Sequence, residues 1–240
     1  MLRGTADLDA LAHGAPTLEV FASVPIELGD VALLQVVAEL RRPAREALLP
    51  SGLHPTDPPA LVLQAWRVGS SPWGPFTMVL ARLSCRSGVR ARGFSIAGVC
   101  DGDDAREALV EGWGYPLRAG HARLDVRYDG ATLEAPRLGV LAVDPRPIGG
   151  DDVQYTGTMN LAHTPVGLRL VQVEAHPTPQ RAERLHGRIT DFSATEWGSP
   201  LLDPYHVVAT TLVRGAATLA PVRFVCRPDL DAFSGTERVG

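Results

Sequence analysis

The chain has 240 residues, 45% of them hydrophobic and 21% charged, with a formal net charge of −4. That composition is ordinary for a soluble globular protein with enough apolar mass for a substantial core, and its acidic balance argues against nucleic acid or an anionic membrane as a partner. No apolar run approaches the roughly 18 residues of a membrane span. The opening stretch MLRGTADLDALAHGAP carries acidic residues and no apolar centre, so it does not read as a secretory signal and a cytoplasmic location is expected.

Along the chain, short apolar or alternating segments punctuated by Gly, Pro and Asp predict strands over 18–28, 60–69, 76–85, 91–100 and 122–130. Further strands are predicted over 131–143, 153–164, 167–176, 183–193 and 220–228. DVALLQVVAELRRPAREALLP (30–50) places apolar residues at helical spacing, interrupted by Pro43. DDAREALVEGW (103–113) opens on an Asp suited to capping and continues with good helix formers. DPYHVVATTLVRG (203–215) reads as helix or strand, its β-branched residues leaving both open. Asp129-Gly130 between two apolar runs signals a hairpin, and the Pro-rich PSGLHPTDPPA (50–60) reads as a surface connection into a strand. No internal repeat is present. The elements add up to one α+β, mainly β domain over 1–240, built as a closed barrel or as packed antiparallel sheets with a few short helices.

The residues with chemistry are more telling for what they omit. Cys85, Cys100 and Cys226 form no CxxC pair and read as buried thiols. The seven histidines form no HxH, HxxxH or HExxH pattern, so no metal is expected, and no cofactor motif is present. GxSxG is missing. All 23 basic residues are arginine; the chain contains no lysine. No side chain can therefore form a Schiff base with a carbonyl.

The order of several motifs is nevertheless distinctive. Trp66-Arg67 on a strand leads into the loop SSPWGPF (70–76), then two strands, then a helix bearing Glu111 and the turn WGYP (113–116). TMNLAHTPVGLRLVQVE (158–174) and SPLLDPYHVV with LAPVRFV close the series. Over most of its length the chain resembles the acetoacetate decarboxylase-like superfamily. In that family two lysines commonly follow Tyr-Pro; the first forms the Schiff base and the second depresses its pKa. Here those positions are Leu117 and Arg118. A family glutamate before the aromatic-Arg pair is matched by Gln64, and one after the Gly/aromatic loop by Met78. Around Ser23 and Val24 no counterpart of the family's arginine is found.

The resemblance thus implies the fold without the decarboxylase chemistry. Lys to Leu, Glu to Gln and Glu to Met remove charge at similar volume, and together they predict a neutral, mostly apolar cavity for a largely apolar small molecule. Gln64, Glu111, Tyr115 and Arg118 are the candidate catalytic residues, with Trp66, Met78, Trp113 and Leu117 lining the cavity. A cofactor-free cyclase or isomerase of biosynthetic tailoring, acting on a polyketide-like metabolite and including pericyclic ring closure, fits such a site. A binding or scaffold protein without catalysis is the second reading, and a lyase or hydrolase using Glu111 as acid/base the third. The resemblance also implies a homo-oligomer.

Overall fold

Residues 26–40, IELGDVALLQVVAEL, form one strand, β1 (Ile26–Leu40), in the computed structural model, which describes residues 2–239. The helix expected over 30–50 is therefore a strand followed by a single helical turn. The reason is burial on both sides. Ala32, Leu34 and Val36 enter one apolar cluster while Val31 and Leu33 enter the other. A strand covered on both faces shows no alternation, so its apolar residues also satisfy a helical template. Asp30, at φ 47, sits in the irregularity between Leu28 and Val31 that resets the alternation, leaving both in the same cluster.

The strands that follow are β2 (His54–Pro55), β3 (Ala60–Ser70), β4 (Phe76–Ser87), β5 (Arg90–Cys100), β6 (Leu117–Ala119) and β7 (Arg123–Val126). Then come β8 (Gly130–Ala135), β9 (Leu138–Ile148), β10 (Gly157–Thr164), β11 (Gly167–Val173) and β12 (Ala175–Phe192). β13 (Pro204–Leu219), β14 (Phe224–Cys226) and β15 (Thr236–Arg238) complete the set. The helices are α1 (Leu8–His13), α2 (Ala44–Ala47), α3 (Asp103–Trp113) and α4 (Ala232–Gly235). None among the described residues is long and apolar enough to cross a membrane.

All fifteen strands join one mixed sheet, in the order β15-β14-β11-β10-β5-β4-β3-β1-β13-β12-β9-β8-β7, with β2 on β4 and β6 on β5. Among the described strands the parallel ladders are those of β5 with β10 and with β6. The path ends at β7 and β15 without joining them, so of the two arrangements expected, closed barrel or packed antiparallel sheets, the barrel does not close. The central strands separate two cores. Leu61, Leu63, Ala65, Val79, Ala81 and Leu83 point to the first, and Trp66, Val68, Met78 and Leu80 to the second. The candidate site lies on the second face.

The predicted hairpin forms where β7 meets β8, with Arg127 N donating to Gly130 O. The segment left open at 203–215 is strand, the first part of β13. The strand expected over 18–28 begins only at Ile26. Helix α3 has the predicted bounds, although its cap is Gly102 and no side chain caps it.

Candidate functional site

Register fixes which side chains meet. Residues two apart on a strand share a face, so Gln64 and Trp66 of β3 look into the second core together. Across the ladders Gln64 pairs with Gln35 of β1, and Trp66 with Met78 of β4. Gln64 Nε2 accordingly donates to Gln35 Oε1 at 2.8 Å, and Gln35 Nε2 to Gln154 O at 3.3 Å. Counting on from Met78 along β4 brings Arg82 to the same face. Its guanidinium lies against β5 where Gly93 has no Cβ; any side chain there would collide with it.

Arg82 is 1% exposed. Its Nη2 donates to the carbonyls of Thr156 and Gly157, both at 2.9 Å, and to Thr156 Oγ1 at 3.2 Å. Burial pushes this guanidinium down to about 10, against the opposite pull of neighbouring groups. Tyr115 arrives from the turn after α3, where Gly114 holds φ 66, a conformation that glycine adopts without a steric penalty. A Cβ at Gly114 would also press on Ala162. Burial pushes the Tyr115 phenol up to about 12, and that of Tyr155 likewise to about 12.

These groups enclose a cavity of about 20 Å³, lined by Gln64, Trp66, Arg82, Tyr115, Tyr155, Thr156, Thr158, Ala175 and Pro177. That volume holds one water-sized group. Arg82 and Tyr155, both among its lining residues, each carry a buried polar atom without a hydrogen-bond partner, Arg82 Nε and Tyr155 Oη. Buried polar groups are ordinarily satisfied, so two such residues beside one small space make it a candidate place for an acceptor.

The structure brings Gln64, Trp66 and Tyr115 together in this cavity. Met78, Trp113 and Leu117 lie in the surrounding apolar cluster without lining it. Leu117 is opposite Gly98 on the β5–β6 ladder and fills the space that a Cβ at Gly98 would need. Trp113 is held by Nε1 donating to Ala220 O at 2.8 Å, and its own carbonyl accepts from Asn160 Nδ2 at 3.0 Å. Arg118, next to Leu117, points the other way. It is exposed, with Cζ 5.9 Å from the centroid of the Trp197 ring. Glu111 is exposed on α3, outside the cavity.

The expectation of a neutral, mostly apolar cavity is therefore corrected. Apolar replacements packed into the core rather than lining a void, and a positive charge enters from β4. Sequence reasoning missed Arg82, Tyr155, Thr156, Thr158 and Gln35. Arg82 had a signal, since it stands alone among apolar residues in FTMVLARLSC at the parity of Met78.

Chemically, the cavity is a set of donors. Neutral phenols, hydroxyls, an amide and a guanidinium can stabilise negative charge developing on one oxygen. No carboxylate, histidine or amine lines it. Glu174 lies nearby but is bound to Arg92 at 2.6 Å.

No family model matches the chain, and no curated protein matches it. Solved structures do. Acetoacetate decarboxylase from Legionella pneumophila superposes with a TM-score of 0.74 at 16% identity, over 84% of this chain and 86% of that one. The enduracididine biosynthesis enzyme MppR, complexed with pyruvate, gives 0.67 at 16% identity over 84% and 90%. An acetoacetate decarboxylase-like enzyme from Sphingomonas wittichii RW1 gives 0.61 at 17% over 83% and 92%. In fold, this lysine-free chain is acetoacetate decarboxylase-like.

Proposed function

We propose that the protein is a Schiff-base-free enzyme of biosynthesis that cyclises or isomerises a small carbonyl compound by polarising its oxygen. The observation that carries this is that Arg82 and Tyr155, each with an unpartnered buried donor, both line a space the size of one oxygen. A substrate carbonyl entering there meets both side chains as hydrogen-bond donors of the wall. Its largely apolar body then lies outside the cavity, which is too small for anything beyond the polar end. As a new bond forms, electron density moves to the held oxygen, and donors fixed in a dry site stabilise it without reorganisation. With no base on the wall, reactions in which no protein group removes a proton fit best, ring closures among them. MppR, with the same fold, is a biosynthetic enzyme that has been solved with pyruvate, which supports a carbonyl ligand in this setting.

The same absence of a base favours a second reading, a binding protein that returns its ligand unchanged. The third reading loses its support, because Glu111 is outside the cavity. The test is incubation with pyruvate and a panel of larger enones and β-dicarbonyl compounds, followed by mass spectrometry and thermal shift. A product of unchanged mass that disappears in Tyr155→Phe and Arg82→Met supports the enzyme. Thermal stabilisation of the native protein without conversion supports the binder. No response to any carbonyl compound would refute both.

A further inference from the structure

On the opposite face of the β12 start lies a second, larger site. Glu174 and His176 alternate with Ala175 and Pro177; the latter two line the small cavity, whereas the former two face a cleft of about 430 Å³. An adjoining hollow of about 250 Å³ shares Arg90, Gln172 and Phe224 with it. Together they have the volume of a small-molecule site.

Two features give this cleft a ligand chemistry. Arg90 and Arg223 both line it, and among the described residues neither has an ion-pair partner. Its carboxylate, Glu174, is already neutralised by Arg92. A chain of net charge −4 thus presents an uncompensated dicationic cleft. Beside these arginines stand exposed apolar side chains, among polar ones such as Gln172 and Thr218. Phe224 is 44% exposed and Phe233, on α4, is 78% exposed, and Val89 completes the wall of the smaller hollow. Exposed phenylalanines beside free guanidinium groups suit a flat apolar body with an anionic end: the ring stacks, and the planar forks of arginine grip a carboxylate or sulfonate.

We infer that this cleft binds an aromatic organic anion, at a site separate from the cavity around Arg82. The Arg92–Glu174 pair lies between the two, packed over Gly157, whose carbonyl accepts from Arg82. The site stands independently of the reaction assigned to the inner cavity.

The test uses 2-naphthoate as probe, titrated calorimetrically into the full chain at low ionic strength. Binding is expected to weaken at least tenfold in Arg90→Gln/Arg223→Gln and to weaken in Phe224→Ser. The neutral methyl ester is expected to bind more weakly than the anion, and Arg82→Met is expected to leave naphthoate affinity unchanged. Equal affinity in the double arginine variant would overturn the inference. So would loss of binding in Arg82→Met, which would locate the probe in the inner cavity. Light scattering on Phe233→Ser supplies a third control. No naphthoate binding by the native protein, together with a dimer that dissociates in this variant, would make the face a contact between copies and overturn the ligand site.

Discussion

Replacing Arg82 by methionine separates what the buried guanidinium does for stability from what it does for a ligand. The side chain keeps an unbranched apolar stem but loses the guanidinium and its charge. Thr156 and Gly157 then lose a charged donor at their carbonyls. At about 1.5–3 kcal/mol for each hydrogen bond to a charged group, the loss is about 3–6 kcal/mol. Against it stands the desolvation that holds this group at about 10. An ordinary arginine titrates at about 12.5 or above, and at about 1.36 kcal/mol per pK unit the difference returns about 3 kcal/mol once the charge is gone. The expected net destabilisation is about 0–3 kcal/mol, smaller than the about 3–5 kcal/mol that follows when one partner of a satisfied buried ion pair is removed. Urea unfolding monitored by circular dichroism at pH 7 measures it. The same samples, heated with and without a carbonyl ligand, should show stabilisation of the native protein and none in the variant. A loss above about 5 kcal/mol on this scale would mean that the guanidinium is a structural anchor. The view that it is under-satisfied and held ready for an acceptor would then be refuted, most clearly if the ligand effect survived.

Other outcomes follow from the same geometry. Leu117→Lys should not restore an imine-forming site, because position 117 packs against Gly98 and Leu80 outside the cavity; borohydride with pyruvate should leave the mass unchanged, and stability should fall by about 3–5 kcal/mol for an uncompensated buried charge. A trapped adduct would place residue 117 in the site. Tyr115 and Tyr155 both titrate near 12 when folded, so over pH 10–12 the unfolded chain releases phenol protons that the native state keeps. Their contribution to stability must therefore decline as pH rises through that window, and absorbance at 295 nm should lose a late-ionising phenol in Tyr115→Phe. Burial holds the thiols of Cys85 at about 12 and Cys100 at about 11. Neither should react with a disulfide reagent at pH 8 until the protein is denatured. Asp231 is held below the ordinary carboxylate range by the Phe233 amide and by His54, which it meets at 2.6 Å. Its contribution is present above the unfolded pKa and lost as pH falls through the folded one, so Asp231→Asn should flatten the acid limb of a stability-against-pH curve.

The fold was legible where local chemistry and tertiary demand agreed. The hairpin at Asp129-Gly130, the three ladder strands over 60–100 and helix α3 were all readable from turn residues and periodicity. β1 was not, because a doubly buried strand has no polar face to set its period. Sheet closure was equally unreadable, since it depends on whether β7 and β15 meet. At the site, the resemblance was what pointed to Gln64, Trp66 and Tyr115, and parity on β3 is why the first two share a face. Sequence neighbours failed where strand alternation separates them: Arg118 was grouped with Leu117 but lies on the outer face against Trp197. Tyr155 and Thr156 come from the loop before β10, and no local pattern predicts what a loop presents to a cavity.

The position of β1 has a consequence for how the chain is made. Its partner β13 lies near the far end of the sequence, with Ile26 opposite Leu219. On the ribosome, β3, β4 and β5 can zip together as soon as they emerge, and they can take β1 along one side. The other edge of β1 stays bare until synthesis has passed Leu219. An apolar strand waiting that long is a nucleus for misassembly with neighbouring nascent chains. Slow non-local closure of this kind predicts that yield in overexpression will be governed by chaperone supply and translation rate more than by the stability of the finished protein.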